Sequence, residues 1–347
     1  MRPAELSRRV KDAARDLGFD LVGIARAEEV DEAGLLADWL ARGRHGTMRW
    51  MENWRDKRVD PRLLVEGCRS IVSVGLVYYQ PDRDAPQPPG TKVARYAWGE
   101  DYHRVLKDKL HALLARGRAL DSAFEGRAFT DSGPVMERWW AERAGLGWRG
   151  KNTLLLNKRL GSFLFLGELL VRAELDPDPA GVDHCGTCTR CIDACPTGAI
   201  VAPHELDARR CLSYRTIEQR EALASVEEVE VGEWLFGCDI CQDVCPWNRD
   251  APETRETRFR ASAAWPPSLD DVVAMSGEEF DARFGDTAIE RTRRRGLVRN
   301  AAIVAGNTGL GSMEALEAAA GDADPVVAAT ARRVIARRRE AVAGARG

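Results

Sequence analysis

The chain has 347 residues, 44% of them hydrophobic, too many for one core and enough for two or three domains. Its net charge of -3, from 51 basic and 54 acidic residues, excludes a global positive field for nucleic acid or an anionic membrane and leaves room only for a local basic face. No window supplies the roughly 18 apolar residues of a membrane span, and the N-terminus lacks the apolar core of a signal peptide. A cytoplasmic protein is expected, monomeric by default.

In chain order, Leu6, Val10, Ala14 and Leu17 fall on one helical face closed by Gly18, and the apolar strand Phe19 to Ala25 follows. Strands are expected at Ser70–Tyr79, Arg127–Thr130 and Ser162–Val171, helices at Tyr102–Leu120 and Val135–Gly145, and a Pro-rich loop at Gln80–Pro89. This reads as an α/β domain over 1–176. A cysteine-rich domain, 177–252, and a helical module, 253–347, come next. In the last, segments 296–306 and 324–339 read as Ala/Val-rich helices with charged or polar lead-ins, the pattern of a helical repeat.

Eight of the nine cysteines lie between Cys185 and Cys245 at ligand-like intervals. The run Cys185-x-x-Cys188-x-x-Cys191-x-x-x-Cys195-Pro196 has the spacing by which bacterial ferredoxins hold [4Fe–4S] clusters, its fourth cysteine serving the other cluster. A second run, Cys238-x-x-Cys241-x-x-x-Cys245-Pro246, is one ligand short if Cys245 crosses back, and Cys211 fills the vacancy. One cluster is therefore assigned to Cys185, Cys188, Cys191 and Cys245, the other to Cys195, Cys211, Cys238 and Cys241. Tetrahedral zinc is the alternative, since Cys-x-x-Cys pairs serve it too. Cys68 reads as a small buried hydrophobe.

Two clusters form an electron relay, so another group must meet the substrate. The first domain has no Gly-x-Gly-x-x-Gly fingerprint, Walker loop or Ser/His/Asp pattern. Its densest candidate is Phe129-Thr-Asp131-Ser-Gly-Pro134-Val-Met-Glu137, followed by Gly145-Leu-Gly-Trp148-Arg-Gly-Lys151-Asn152-Thr153. A carboxylate between strand and helix is placed to give a proton into a pocket; Asp131 as a helix N-cap or turn residue is the plainer reading. Arg95-Tyr-Ala with Asp101-Tyr102-His103 reads equally well as core packing.

Together these segments, with Asp60-Pro-Arg62, Cys211-Leu-Ser-Tyr214, Cys245-Pro-Trp-Asn248 and Arg295-Gly-Leu-Val-Arg-Asn300, resemble the epoxyqueuosine reductases, which complete queuosine at the tRNA wobble position. The resemblance implies a cobalamin in the N-terminal domain, two [4Fe–4S] clusters in a ferredoxin-like domain and a C-terminal HEAT-like module that grips tRNA. Electrons from an external donor would pass through the clusters to cobalt, and Asp131 would be the proton donor. Arg55, Asp131, Asn152, Thr153, Ser213, Cys238 and Asp239 would contact a base-off corrinoid without histidine ligation.

Arg291, Arg293, Arg294, Arg295 and Arg299 crowd one segment, a local basic patch. With Asn300, the resemblance assigns them to tRNA; a solvated arginine face is the alternative. The sequence departs from the family pattern at Val327, where an arginine is usual. Two rivals remain: a corrinoid enzyme of reductive-dehalogenase type acting on a small molecule, and a non-catalytic electron carrier.

Overall fold

The computed structural model describes residues 1–30 and 33–344. Four strands, β1 (Leu21–Arg26), β2 (Ser70–Val77), β3 (Gly126–Phe129) and β4 (Leu164–Val171), form one sheet in the order β1-β2-β4-β3, with every pairing antiparallel. Helices cover both faces, so the fold is mixed α and β. Successive strand residues alternate between two apolar layers. In one layer Ile24, Val72, Val74 and Leu169 pack with Leu6, Val10 and Ala14 of α1 (Pro3–Asp16) and with Val105, Leu106 and Leu110 of α2 (Tyr102–Leu120). In the other, Ala25, Ile71, Phe129 and Leu170 pack with Trp139, Trp140 and Ala141 of α3 (Glu137–Arg143). Because both faces are covered, every residue of β2 is buried and its sequence reads as an apolar run interrupted only by the small residues Ser70, Ser73 and Gly75.

Residues 183–248 carry the two cysteine runs on loops and two four-residue helices, Arg190–Asp193 and Ile240–Asp243. A buried arginine ties this segment to the sheet domain. Arg95 donates to Asp239 through its backbone N–H at 2.8 Å and its guanidinium at 3.1 Å, and to Asp243 at 2.8 Å. Its guanidinium lies over the rings of Phe163, Tyr79 and Trp98.

The C-terminal helices α4 (Arg293–Thr308), α5 (Met313–Ala319) and α6 (Pro325–Gly344) share one core with Val93, Trp98, Leu235 and Phe236. The helical module expected over 253–347 is thus fused to two segments outside it, and 345–347 lie outside the described residues. Val327 is fully buried in that core, where a branched apolar side chain belongs.

Two expected RNA contacts are corrected here. Arg299 and Asn300 are both 0% exposed. Arg299 donates to the carbonyls of Glu221 at 2.8 Å and Arg215 at 2.6 Å, and Asn300 donates to those of Thr216 at 2.9 Å and Leu235 at 2.8 Å. Burial holds the Arg299 guanidinium down to about 10, and backbone carbonyls replace the water it has lost. The pair is a clamp between α4 and the segment after Cys211.

Candidate active site

β3 ends at Phe129, and two residues later Asp131 turns the chain with φ +46, a left-handed conformation uncommon outside glycine. Asp131 is not a helix cap: the N-cap position of α3 is Met136. Its carboxylate instead accepts from Tyr102 Oη at 2.6 Å and lies 3.9 Å from His103 Nε2, with its side chain 63% exposed. Burial, then the Asp131 charge, lift the Tyr102 phenol well above its ordinary range, so it stays a donor. His103 is positioned by a 2.7 Å contact between Nδ1 and Asp101 and by stacking on the Tyr102 ring at 4.1 Å. Asp101 caps α2, and the first turn of that helix therefore delivers both Tyr102 and His103 to Asp131.

Behind Asp131 stand two further carboxyl groups. Glu137, at the start of α3, accepts from the Asp131 backbone N–H, and burial, then the Asp131 charge, push it up to about 8. Glu168 lies in β4, registered between Ser73 of β2 and Phe129 of β3. It is 0% exposed, and neither of its carboxyl oxygens nor Ser73 Oγ has a hydrogen-bond partner. Burial, then Glu137 and Asp131, raise its pKa far above the ordinary carboxyl range. Arg58, buried with Nε unpartnered, supplies positive charge to Asp131 and Glu137, and burial is what lowers its own pKa.

The eight cysteines fall into two neighbourhoods. Cys245 lies beside Cys185, Cys191 and Cys188, while Cys238 lies beside Cys211 and Cys195, and Cys241 beside Cys238 and Cys211. None is in a disulfide. Burial raises the Cys211, Cys238 and Cys241 thiols, and neighbouring sulfurs raise them further. Crowded, buried thiols of this kind lose their protons with difficulty, and iron would stabilise them as thiolates. Trp148 Nε1 donates to Cys185 Sγ at 3.4 Å and the Ala199 amide to Cys195 Sγ at 3.2 Å, bonds of the type that tune a cluster.

The remaining expected site residues are scattered around these two centres. Asn152 is buried and donates to the Cys241 carbonyl at 3.5 Å, Thr153 has φ +68, and Ser213 hydrogen-bonds the Cys211 thiol. The Asp239 carboxylate is committed to Arg95, which corrects any side-chain contact with a cofactor and leaves only its backbone. Arg55 is exposed at the start of helix Arg55–Val59, and it is Arg58 of that helix that reaches Asp131. Arg291 pairs with Glu218, Arg293 with Glu290, Arg294 with Asp322 and Arg295 with Asp324. Of these, Arg291 also acts on Asp131 and Tyr102.

Sequence reasoning named Glu137 in the Asp131 segment without giving it a role, passed over Glu168 and Arg58, and made no site of Tyr102 and His103. Glu168 had a signal: it is the sole charged residue in the run Leu164–Val171.

Residues 58–132 match a family described as epoxyqueuosine reductase QueG, DUF1730, and residues 184–248 match a 4Fe-4S double cluster binding domain. The epoxyqueuosine reductase of Cyclobacterium marinum is 47% identical over 293 residues, which span 84% of this chain and 94% of that protein. That of Pseudomonas aeruginosa is 42% identical, over 92% of this chain and 91% of its own. A crystal structure of epoxyqueuosine reductase with an epoxyqueuosine-modified tRNA-Tyr stem loop is similar at a TM-score of 0.90 and 31% identity, covering 96% of this chain and 90% of that one. The Bacillus subtilis enzyme, solved with its catalytic aspartate loop swung out of the active site, is similar at 0.86 and 31% identity, over 96% and 90% of the two chains. With the fold, the double-cluster segment and nearly the full length of its relatives in common, this chain belongs to the epoxyqueuosine reductase family.

Proposed function

We propose that the protein reduces epoxyqueuosine at the wobble position of tRNA to queuosine, the last step of queuosine biosynthesis. The observation that carries this reading is Asp131, an exposed carboxylate at a left-handed turn, held by Tyr102 and flanked by His103, in a chain whose relatives are named for that reaction. Both carbon–oxygen bonds of the epoxide break, an alkene forms, and the oxygen leaves as water. The balance requires two electrons and two protons.

Asp131 is the proton donor: the departing oxygen leaves far more readily as a hydroxyl or water than as an oxide. The Tyr102 hydroxyl fixes the carboxylate, and the Asp101–His103 contact holds the imidazole beside it. When bound, two [4Fe–4S] clusters and a cobalamin would supply the electron-transfer chemistry, the two electrons being drawn from an external donor. Cys185, Cys188, Cys191 and Cys245 would hold one cluster and Cys195, Cys211, Cys238 and Cys241 the other, a division supported by which thiols are neighbours. The residues present suit a corrinoid: its rim carries amides, and Arg58 Nε is buried without a partner and Asn152 is a buried side-chain amide. Arg55, Asn152, Thr153, Ser213 and the Cys238–Asp239 backbone would hold that rim.

The three parts, 1–176, 177–252 and 253–347, act as cofactor domain, relay and tRNA grip, the last a HEAT-like module. Arg291, Arg293 and Arg295 meet anticodon-stem phosphates, with half-buried Arg294 behind them. The Arg291 charge is felt at Asp131, and the wobble base, in a loop, reaches the site without duplex melting. The enzyme works as a cytoplasmic monomer.

The test is anaerobic reconstitution with iron, sulfide and cobalamin, then incubation with a reductant and tRNA carrying epoxyqueuosine. Queuosine in the digested tRNA is the expected product. A loaded protein that leaves the epoxide intact contradicts the reading.

A further inference from the structure

We propose that Glu137, backed by the buried neutral carboxyl of Glu168, is an internal proton store that refills Asp131, so that the second proton of each turnover comes from within the sheet domain. The proposal rests on the epoxide-reduction reading. That reaction consumes two protons, and Asp131 offers one carboxyl group.

Three carboxyl groups run from the interior to the surface. Glu168 sits in the middle of β4 at 0% exposure, and both of its oxygens lack partners. An ionised carboxylate there would be an uncompensated charge in an apolar layer, so the group keeps its proton. The flanking strands present only Ser73 and Phe129 at its register, and Ser73 Oγ, itself unpartnered, can both donate and accept. Glu137 joins the interior to the surface: it acts electrostatically on Glu168 and accepts from the backbone N–H of Asp131. Asp131, 63% exposed, opens to solvent.

The charged and titratable groups facing this chain are few. α3 contributes Arg138 and the helix Arg55–Val59 contributes Arg58, both acting on Glu137; α2 contributes Tyr102 and His103 to Asp131. Arg291 acts on Asp131 from the helical module, and Tyr96 also feels it. Glu168 is raised by Glu137 and Asp131. The raised value of Glu137 suits a group that yields its proton near neutral pH.

The transfers balance without an added reagent. Asp131 gives its proton to the departing oxygen and, as a carboxylate, takes one from Glu137, while Glu168 keeps its own. The refilled Asp131 supplies the second proton, and the store is replenished from solvent through Asp131 when the product leaves. No electron moves in these steps, and Glu137 and Glu168 are positioning residues acting through Asp131.

Two measurements decide the matter. Infrared titration of the full chain, in wild type, Glu137→Gln and Glu168→Gln, reads protonated carboxyl groups directly: a carboxylic-acid C=O band at neutral pH, reduced in each variant, is expected. Its absence from wild type overturns the store. Single-turnover reduction by the loaded enzyme is then compared in wild type, Glu137→Gln and Glu137→Asp. Glu137→Gln should slow the reaction about tenfold or more with unchanged stem-loop affinity, shift the alkaline limb of the pH–rate profile, and be partly rescued by Glu137→Asp. An unaltered rate and profile in Glu137→Gln overturns the relay. A wild-type enzyme that fails to reduce the epoxide overturns the function reading instead, and the infrared titration still decides whether the buried carboxyls hold protons.

Discussion

In the sheet domain Glu168, Ser73 and Arg58 keep buried polar atoms with no partner, whereas in the helical module every arginine from Arg291 to Arg299 meets a carboxylate or a carbonyl. A buried polar group left unpaired costs free energy that nothing in its own neighbourhood returns, and such groups gather where a ligand or a proton has to be handled. A paired arginine is a fastening. The contrast teaches that crowding of charge is a weaker functional signal than the absence of partners: five arginines in one short segment look like an RNA face, yet two of the six residues assigned to it, Arg299 and Asn300, hold the module to the cluster segment.

That contrast can be broken at several points. Among changes that leave the chemistry alone, Arg95→Met should have the largest effect, because Asp239 would be left buried without its cation; a loss of about 3–5 kcal/mol in denaturant unfolding is expected. Arg299→Ala strips partners from several buried carbonyls and should cost about 3 kcal/mol, while stem-loop affinity in the still-folded fraction is unchanged. A specific loss of RNA affinity with full stability would return Arg299 to the binding face.

A pH test sharpens the other side. Glu137 has an ordinary value of 4.5 and is held up to about 8 in the fold, so between those values the unfolded chain has released a proton that the native state retains. Stability is therefore fully present below the lower value and falls as pH rises through the window. The unfolding midpoint of wild type should drop between about pH 5 and pH 8, and by less in Glu137→Gln. Equal slopes would mean that Glu137 is ionised throughout. Smallest is the expected change in Arg293→Ala with Arg295→Ala: their surface pairs contribute under about 1 kcal/mol to folding, but the salt slope of stem-loop binding should lessen by about one unit for each phosphate left without its arginine. An unchanged slope removes both from the RNA footprint.

Much of this was legible in the residues. The helix Tyr102–Leu120 was read at its observed ends, because Asp101 caps it and its apolar spacing is regular. The cysteine runs were legible because cluster ligation is written in local spacing. Glu137 and Glu168 were not read as a site, since their meaning depends on β4 lying between β2 and β3 and on α3 covering that face, relations no local window contains. Arg299 was placed on the wrong side of its helix for a related reason. α4 is buried from Gly296 to Ala305, so its sequence carries no polar stripe from which a solvent face can be read.

The most direct measurement is single-turnover conversion of epoxyqueuosine in tRNA by loaded wild type and by Asp131→Asn, with iron–sulfur and corrinoid spectra recorded on the same samples. The account predicts queuosine from wild type and a rate at least about a hundredfold lower from Asp131→Asn with unaltered spectra. Full conversion by a spectrally intact Asp131→Asn would contradict it.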